Sequence, residues 1–333
     1  MTFKVWVRCI PWVMALLVAE GAALAEAPVY DIVLSRPCRV GDRFAFEANG
    51  QSKQTSSLPG KKEPKVETLS VVVSGELEVL EVREGGQVKR SRLTVKAFDG
   101  KADGARVGGI APGDTITIAV EEGKTVYLYK GAPFDGALLK LFKLVIQYRG
   151  DDGPDDQAYF GTDVPQPVGG TWPVNAALAA AAMTRDKMTV EPSDVTGASR
   201  LTGVTMVDEV ACLQVQGKMD ITDVDVELPR MAQLTSSAFS VEMEGDFPVD
   251  PALPPMRVAT TVDLDVKLKG TGLLSAFRFG THDARTAEQR LRVIERGPAP
   301  EAPVEVKPKP EPADVPAGGP PAGASGWRVL RSE

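Results

Sequence analysis

The chain has 333 residues, 43% hydrophobic and 25% charged, which supplies enough apolar surface for one large domain or two small ones. A formal charge of −7 and a pI near 5.1 argue against nucleic-acid binding, which calls for a basic face. A single histidine, His282, leaves almost nothing from which to build a Ser–His–Asp triad or a multi-histidine zinc site.

The N-terminus carries Lys4 and Arg8, an apolar run from Cys9 to Ala19, and Ala23-Leu24-Ala25 ahead of Glu26. This three-part order is that of a secretory signal peptide over residues 1–25. The apolar run is too short to span a bilayer, and no cysteine stands at the cleavage point to carry a lipid. The expected mature protein starts near Glu26, is exported to the periplasm or beyond, and does not span the membrane. An oxidising compartment permits Cys38 and Cys212 to pair, but two cysteines define no disulfide framework. In the run Val210-Ala211-Cys212-Leu213, Cys212 reads equally as a small buried hydrophobe.

Residues 26–150 read as a first β-rich unit. Leu77, Val79 and Val82 lead through Glu84-Gly85-Gly86 to Val88, Leu93 and Val95: a strand, a glycine turn and a strand. Thr115–Val120 and Thr125–Tyr129 flank a second turn, Glu121-Glu122-Gly123-Lys124. Phe134, Leu138, Leu141, Phe142, Val145 and Tyr148 then recur at helical spacing, predicting an amphipathic helix over 134–148. Tyr127, Tyr129 and Phe142 are candidate lining for an apolar pocket between sheet and helix, although apolar stripes usually mean packing. Asp151-Asp152-Gly153-Pro154-Asp155-Asp156 is the densest acidic cluster; it lacks the spacing of a calcium loop and reads as a solvated turn.

Residues 151–297 read as a second β-rich unit. Ala176–Met183 is alanine-rich, predicting a short helix with Asn175 as its cap. Val224, Val226 and Leu228 alternate with acids, as do Val262, Leu264, Val266 and Leu268 with Asp263, Asp265, Lys267 and Lys269. That period of two predicts strands with one buried and one wet face. It also accounts for the pairs Asp223/Asp225 and Asp263/Asp265 without assigning them catalytic work. Pro298–Glu333 holds nine prolines in 36 residues, a composition that cannot bury enough apolar surface to order itself.

The two units look related. Val40-Gly41-Asp42-Arg43-Phe44 matches Val168-Gly169-Gly170-Thr171-Trp172, Val82, Val88 and Leu93 match Val204, Val210 and Val215, and Thr125–Leu128 answers Thr261–Leu264. The segment Phe160-Gly161-Thr162-Asp163-Val164-Pro165-Gln166-Pro167-Val168-Gly169-Gly170-Thr171-Trp172 resembles the Pro-x-x-Pro-Val-x-x-Gly-x-x-Trp lead-in to the second half of an uncharacterised family of secreted bacterial two-repeat β-rich proteins. Here the interval between Val168 and the glycines is shorter. The resemblance covers about residues 30–296 and implies a signal peptide and two β-rich halves; it implies no catalytic residue.

The expected fold is therefore mainly β (α+β): two related antiparallel, half-barrel-like sheet units with a connecting amphipathic helix. The expected function is non-enzymatic, binding an envelope protein or an apolar ligand, with no cofactor, metal or nucleic acid. The alternative is a hydrolase of envelope polymers that uses paired carboxylates.

Overall fold

In a computed structural model, which describes residues 27–57, 61, 63–148, 154–185, 188–226, 232–271 and 276–299, the segments of period two are strands. The leader, Asp151–Gly153, Leu228 and the tail from Pro300 lie outside the described residues. Ten strands carry most of the structure. In chain order they are β1 (Arg43–Ser57), β2 (Lys65–Val82), β3 (Val88–Ala102), β4 (Thr115–Glu121), β5 (Lys124–Tyr129), β6 (Val195–Val207), β7 (Val210–Thr222), β8 (Ala232–Pro248), β9 (Arg257–Thr271) and β10 (Ala276–Glu295). The helices are α1 (Gly136–Val145), α2 (Asp156–Phe160) and α3 (Ala176–Arg185). The protein is mainly β, as its alternation dictates.

The strands join in one antiparallel 13-stranded sheet. From edge to edge it runs Thr171–Pro173, β6, β7, β8, β9, β10, β1, β2, β3, β4, β5 and Ala132–Pro133, with Ala105–Val107 added beside β3. The two sequence halves thus share a sheet rather than closing into separate ones. The seam is the pairing of β10 with β1, from Gly280 opposite Ser57 to Glu295 opposite Arg43. Both edges are short strands ending in proline, Pro133 and Pro173, which blunts them against pairing with another chain.

On each side of the seam the chain follows the same six-strand meander. The starts of the two runs also share their local geometry. Gly41 and Gly169 adopt φ of +87° and +88°, a region open to glycine at little cost. Gly41 N–H donates to the Val79 carbonyl at 2.8 Å and Val79 N–H to the Asp42 carbonyl at 2.9 Å. In the second run, Gly169 N–H donates to Leu201 at 2.7 Å and Leu201 N–H to Gly170 at 3.0 Å. Phe44 and Trp172, three residues past each glycine, are both buried.

One face of the sheet carries the helices and two separate cores. The first core gathers Phe44, Phe46, Val73, Leu93, Ile116, Ile118 and Tyr127 under Leu141, Phe142 and Val145 of α1. The second gathers Leu201, Leu213, Val215, Ile221 and Phe247 under Phe160 of α2 and Ala179 and Ala180 of α3, with Ile32 and Leu34. Helices α1 and α2 each approach the sheet over a glycine. A Cβ on Gly50 would lie 2.7 Å from Val145 Cγ1, and one on Gly217 would lie 2.6 Å from the Phe160 ring.

The helix predicted over 134–148 is shorter, Gly136–Val145, because tertiary partners claim its ends. Phe134 N–H donates to the Tyr127 carbonyl at 2.9 Å, so Phe134 still belongs to the sheet. Beyond Val145 the chain is extended, and Thr125 Oγ1 holds both the carbonyl of Tyr148, at 2.7 Å, and its N–H, at 3.0 Å. The predicted helix at Ala176 continues to Arg185, and Asn175 caps it through Oδ1, which accepts from Leu178 N–H at 3.1 Å. Of the predicted strand at Val224–Leu228, Asp225–Val226 pairs with Met188–Thr189, and Leu228 lies outside the described residues.

Candidate functional site

Strand register fixes which residues of the central strands share the helix-bearing face. On β9 they are Val258, Thr260, Val262, Leu264, Val266 and Leu268; Val262 lies opposite Arg285 of β10, and Leu264 opposite Asp283. On β8 they are Phe239, Val241 and Met243, opposite Leu264, Val262 and Thr260. On β10 they continue through Ala287 and Gln289, opposite Gly50 and Ala48 of β1.

Sequence alternation predicts that Val262, Leu264, Val266 and Leu268 are buried. The structure leaves all four half-buried. The physical reason is their place in the sheet. α1 lies over β10, β1, β2 and β3, and α3 lies over β6, so β9 falls between the two covers. These four side chains belong to neither core. They form an apolar strip about 20 Å long, at ~3.4 Å per residue, flanked by a helical layer on each side.

A cavity of about 240 Å³, with charged side chains at its rim, lies under one edge of α1, one strand away from this strip. Lys140, Lys143, Arg285, Asp283, Glu67 and Leu69 are among its lining residues. Asp283 is 7% exposed and is held by Arg285, whose Nε donates to Oδ2 at 3.0 Å, and by Ser52 Oγ at 3.4 Å. Lys140 Nζ lies 3.4 Å from Glu67, which also pairs with Lys65. Lys143, in the last turn of α1, is exposed and has no ion-pair partner among the described residues.

The opposite face is solvated. Asp263, Asp265 and Lys267 of β9 point that way, with Lys267 Nζ 2.8 Å from Asp265. His282 of β10 is on the same face, its Nδ1 3.4 Å from Asp263 Oδ1. Arg257 joins Glu244 at 2.9 Å and Glu288 at 3.4 Å, and Arg43 joins Glu76 at 2.6 Å. Such pairs contribute little each in water.

The residues singled out as apolar lining sit elsewhere. Tyr127 and Phe142 are 1% and 0% exposed inside the first core, with ring centroids 6.0 Å apart. The Tyr127 hydroxyl donates to the Ile146 carbonyl, and burial pushes its pKa well above the ordinary phenol value. Tyr129 is half-buried, and its hydroxyl donates to Asp114 Oδ2 at 2.9 Å. The strip and cavity described above are lined by other residues. Of the acidic cluster, Asp155 caps α2 by accepting from Ala158 N–H at 3.0 Å and bonds Ser35. Cys38 and Cys212 are both free thiols. Among the described residues there is no cluster of ligating side chains suited to a metal, and no helix long and apolar enough to cross a membrane.

No protein-family model and no curated protein matches the sequence. Among solved structures, an outer membrane channel from Pseudomonas putida F1 is similar at 10% identity, covering 79% of this chain and 99% of that one, with a TM-score of 0.18. A triple mutant of Rhodopseudomonas blastica porin is similar at 9% identity, covering 75% of this chain and 100% of that one, with a TM-score of 0.16. Likeness at that level carries no conclusion about this chain.

Proposed function

We propose that this is an exported, non-enzymatic binding protein of the bacterial cell envelope that holds an apolar ligand against the half-buried strip of its central strands. The observation that carries the reading is the half-buried row Val262, Leu264, Val266 and Leu268, set between two helical covers. A sheet face left apolar between covers costs free energy in water unless something occupies it, and such faces commonly mark binding sites. The leader pattern at residues 1–25 supports export.

The matching meanders and the paired geometry around Gly41 and Gly169 support an origin by duplication, as in the two-repeat family that the sequence resembles. On this reading the two related units each carry a core, and the ligand lies on β9 of the second unit, one strand from the seam.

The competing hydrolase reading would assign Asp263 and Asp265 as the acid pair. Both lie on the solvated face, partnered by His282 and Lys267, where strand alternation alone puts them. The binding reading is tested by titrating the mature protein with the apolar fluorophore N-phenyl-1-naphthylamine. Saturable binding is expected, abolished in a Val262→Glu/Leu264→Glu variant that keeps the wild-type circular dichroism spectrum. Unchanged binding by that folded variant overturns the assignment.

A further inference from the structure

The cavity beside the strip carries positive charge, and an apolar surface that ends in a cationic recess has the shape of an amphiphile site. Resting on the apolar-ligand reading, we propose that the ligand is a single-chain anionic amphiphile. Its acyl chain lies along Val262, Leu264, Val266 and Leu268, and its carboxylate head sits in the recess of Lys140, Lys143 and Arg285.

Three observations carry this. First, Arg285 and Asp283 stand directly opposite Val262 and Leu264 in register, so recess and strip are continuous across one strand-to-strand step. Second, the recess holds three cations against two carboxylates, Glu67 and Asp283. Asp283 is committed to Arg285 and Glu67 to Lys65 and Lys140, whereas Lys143 has no ion-pair partner among the described residues. Third, the dimensions agree. The strip of about 20 Å accommodates one chain of a bilayer leaflet, whose hydrocarbon depth is about 15 Å. The cavity of about 240 Å³ takes a small head rather than a second chain.

The test compares hexadecanoate with hexadecanol, which share a chain and differ in head charge at pH 7.5. Binding is measured on the full mature protein by displacement of N-phenyl-1-naphthylamine. Hexadecanoate is expected to bind about tenfold more tightly, with the preference narrowing as salt rises. Lys143→Glu, at an exposed position that leaves the core untouched, is expected to remove that preference by weakening hexadecanoate more than hexadecanol. Equal affinity of the two for the wild type, or a preference that survives Lys143→Glu, overturns the anionic-head assignment while the apolar site stands. Binding of neither compound overturns the apolar-ligand reading itself.

Discussion

Replacing Asp42 with alanine removes the carboxylate on which the two ends of the described fold meet. Asp42 is fully buried. Its Oδ2 accepts from Arg39 N–H at 2.8 Å, its Oδ1 accepts from Gly297 N–H at 2.8 Å, and Arg296 Nε lies 3.3 Å from that same Oδ1. Alanine leaves two backbone donors and a largely buried guanidinium without a counterpart. An unsatisfied buried donor costs about 1–3 kcal/mol, and breaking a buried ion pair from one side costs about 3–5 kcal/mol. The three groups share one carboxylate, so these costs overlap and the expected loss is ~4 kcal/mol. With a urea slope of ~3 kcal/mol/M, the midpoint falls by ~1.3 M. A second variant, Asp42→Ala/Arg296→Met, removes the stranded charge and recovers about 1–2 kcal/mol. Unfolding is followed by circular dichroism, and amide exchange at Gly41 and Val79 reports locally on the contact between β2 and the turn that carries Asp42. A midpoint within ~0.3 M of wild type, or a double variant less stable than the single one, refutes the reasoning.

The remaining predictions concern packing, pH and processing. Gly217→Val drives a side chain into the Phe160 ring and is expected to destabilise by about 1–3 kcal/mol, read as a lowered thermal midpoint; an unchanged midpoint shows that α2 yields freely. Burial, then the Asp42 charge, pushes the Cys38 thiol up to about 11, and burial, then Asp246, pushes Cys212 up to about 11. The fold thus favours both neutral thiols, and their contribution to stability is intact below about pH 8.5 and lost as pH rises toward 11. Thermal unfolding midpoints should fall across that window, less so in a Cys38→Ala/Cys212→Ala variant, and iodoacetamide at pH 8 should label both thiols only after unfolding; fast labelling of the folded protein contradicts the burial argument. N-terminal sequencing of protein recovered from the envelope fraction should begin near Glu26; an intact Met1-Thr2-Phe3 start on a cytoplasmic protein would rule out export.

Local physics made much of the architecture readable from the sequence. Alternation with period two is a property of neighbouring residues, so the hairpins around Glu84–Gly86 and Glu121–Lys124 were legible. So was the α3 cap, because Asn175 reaches only three residues along the chain. Tyr127 and Phe142 were legible as part of an apolar stripe of the kind that usually means packing, and both lie in the first core. α2, five residues long, gave no usable period; its anchor is Gln157, whose side chain accepts from Leu34 N–H at 2.6 Å and donates to the Ile32 carbonyl at 3.0 Å.

The candidate site was decided by tertiary structure alone. Val262, Leu264, Val266 and Leu268 show the same alternation as fully buried strands, and nothing in their spacing says whether a helix will cover them. Their exposure depends on β10 pairing with β1 across most of the chain, which places β9 between α1 and α3. That same pairing brings Arg285 to the side of the recess that Lys143 reaches from α1. Secondary structure follows from contacts between near neighbours in sequence. This surface follows from strand order, which no local pattern encodes.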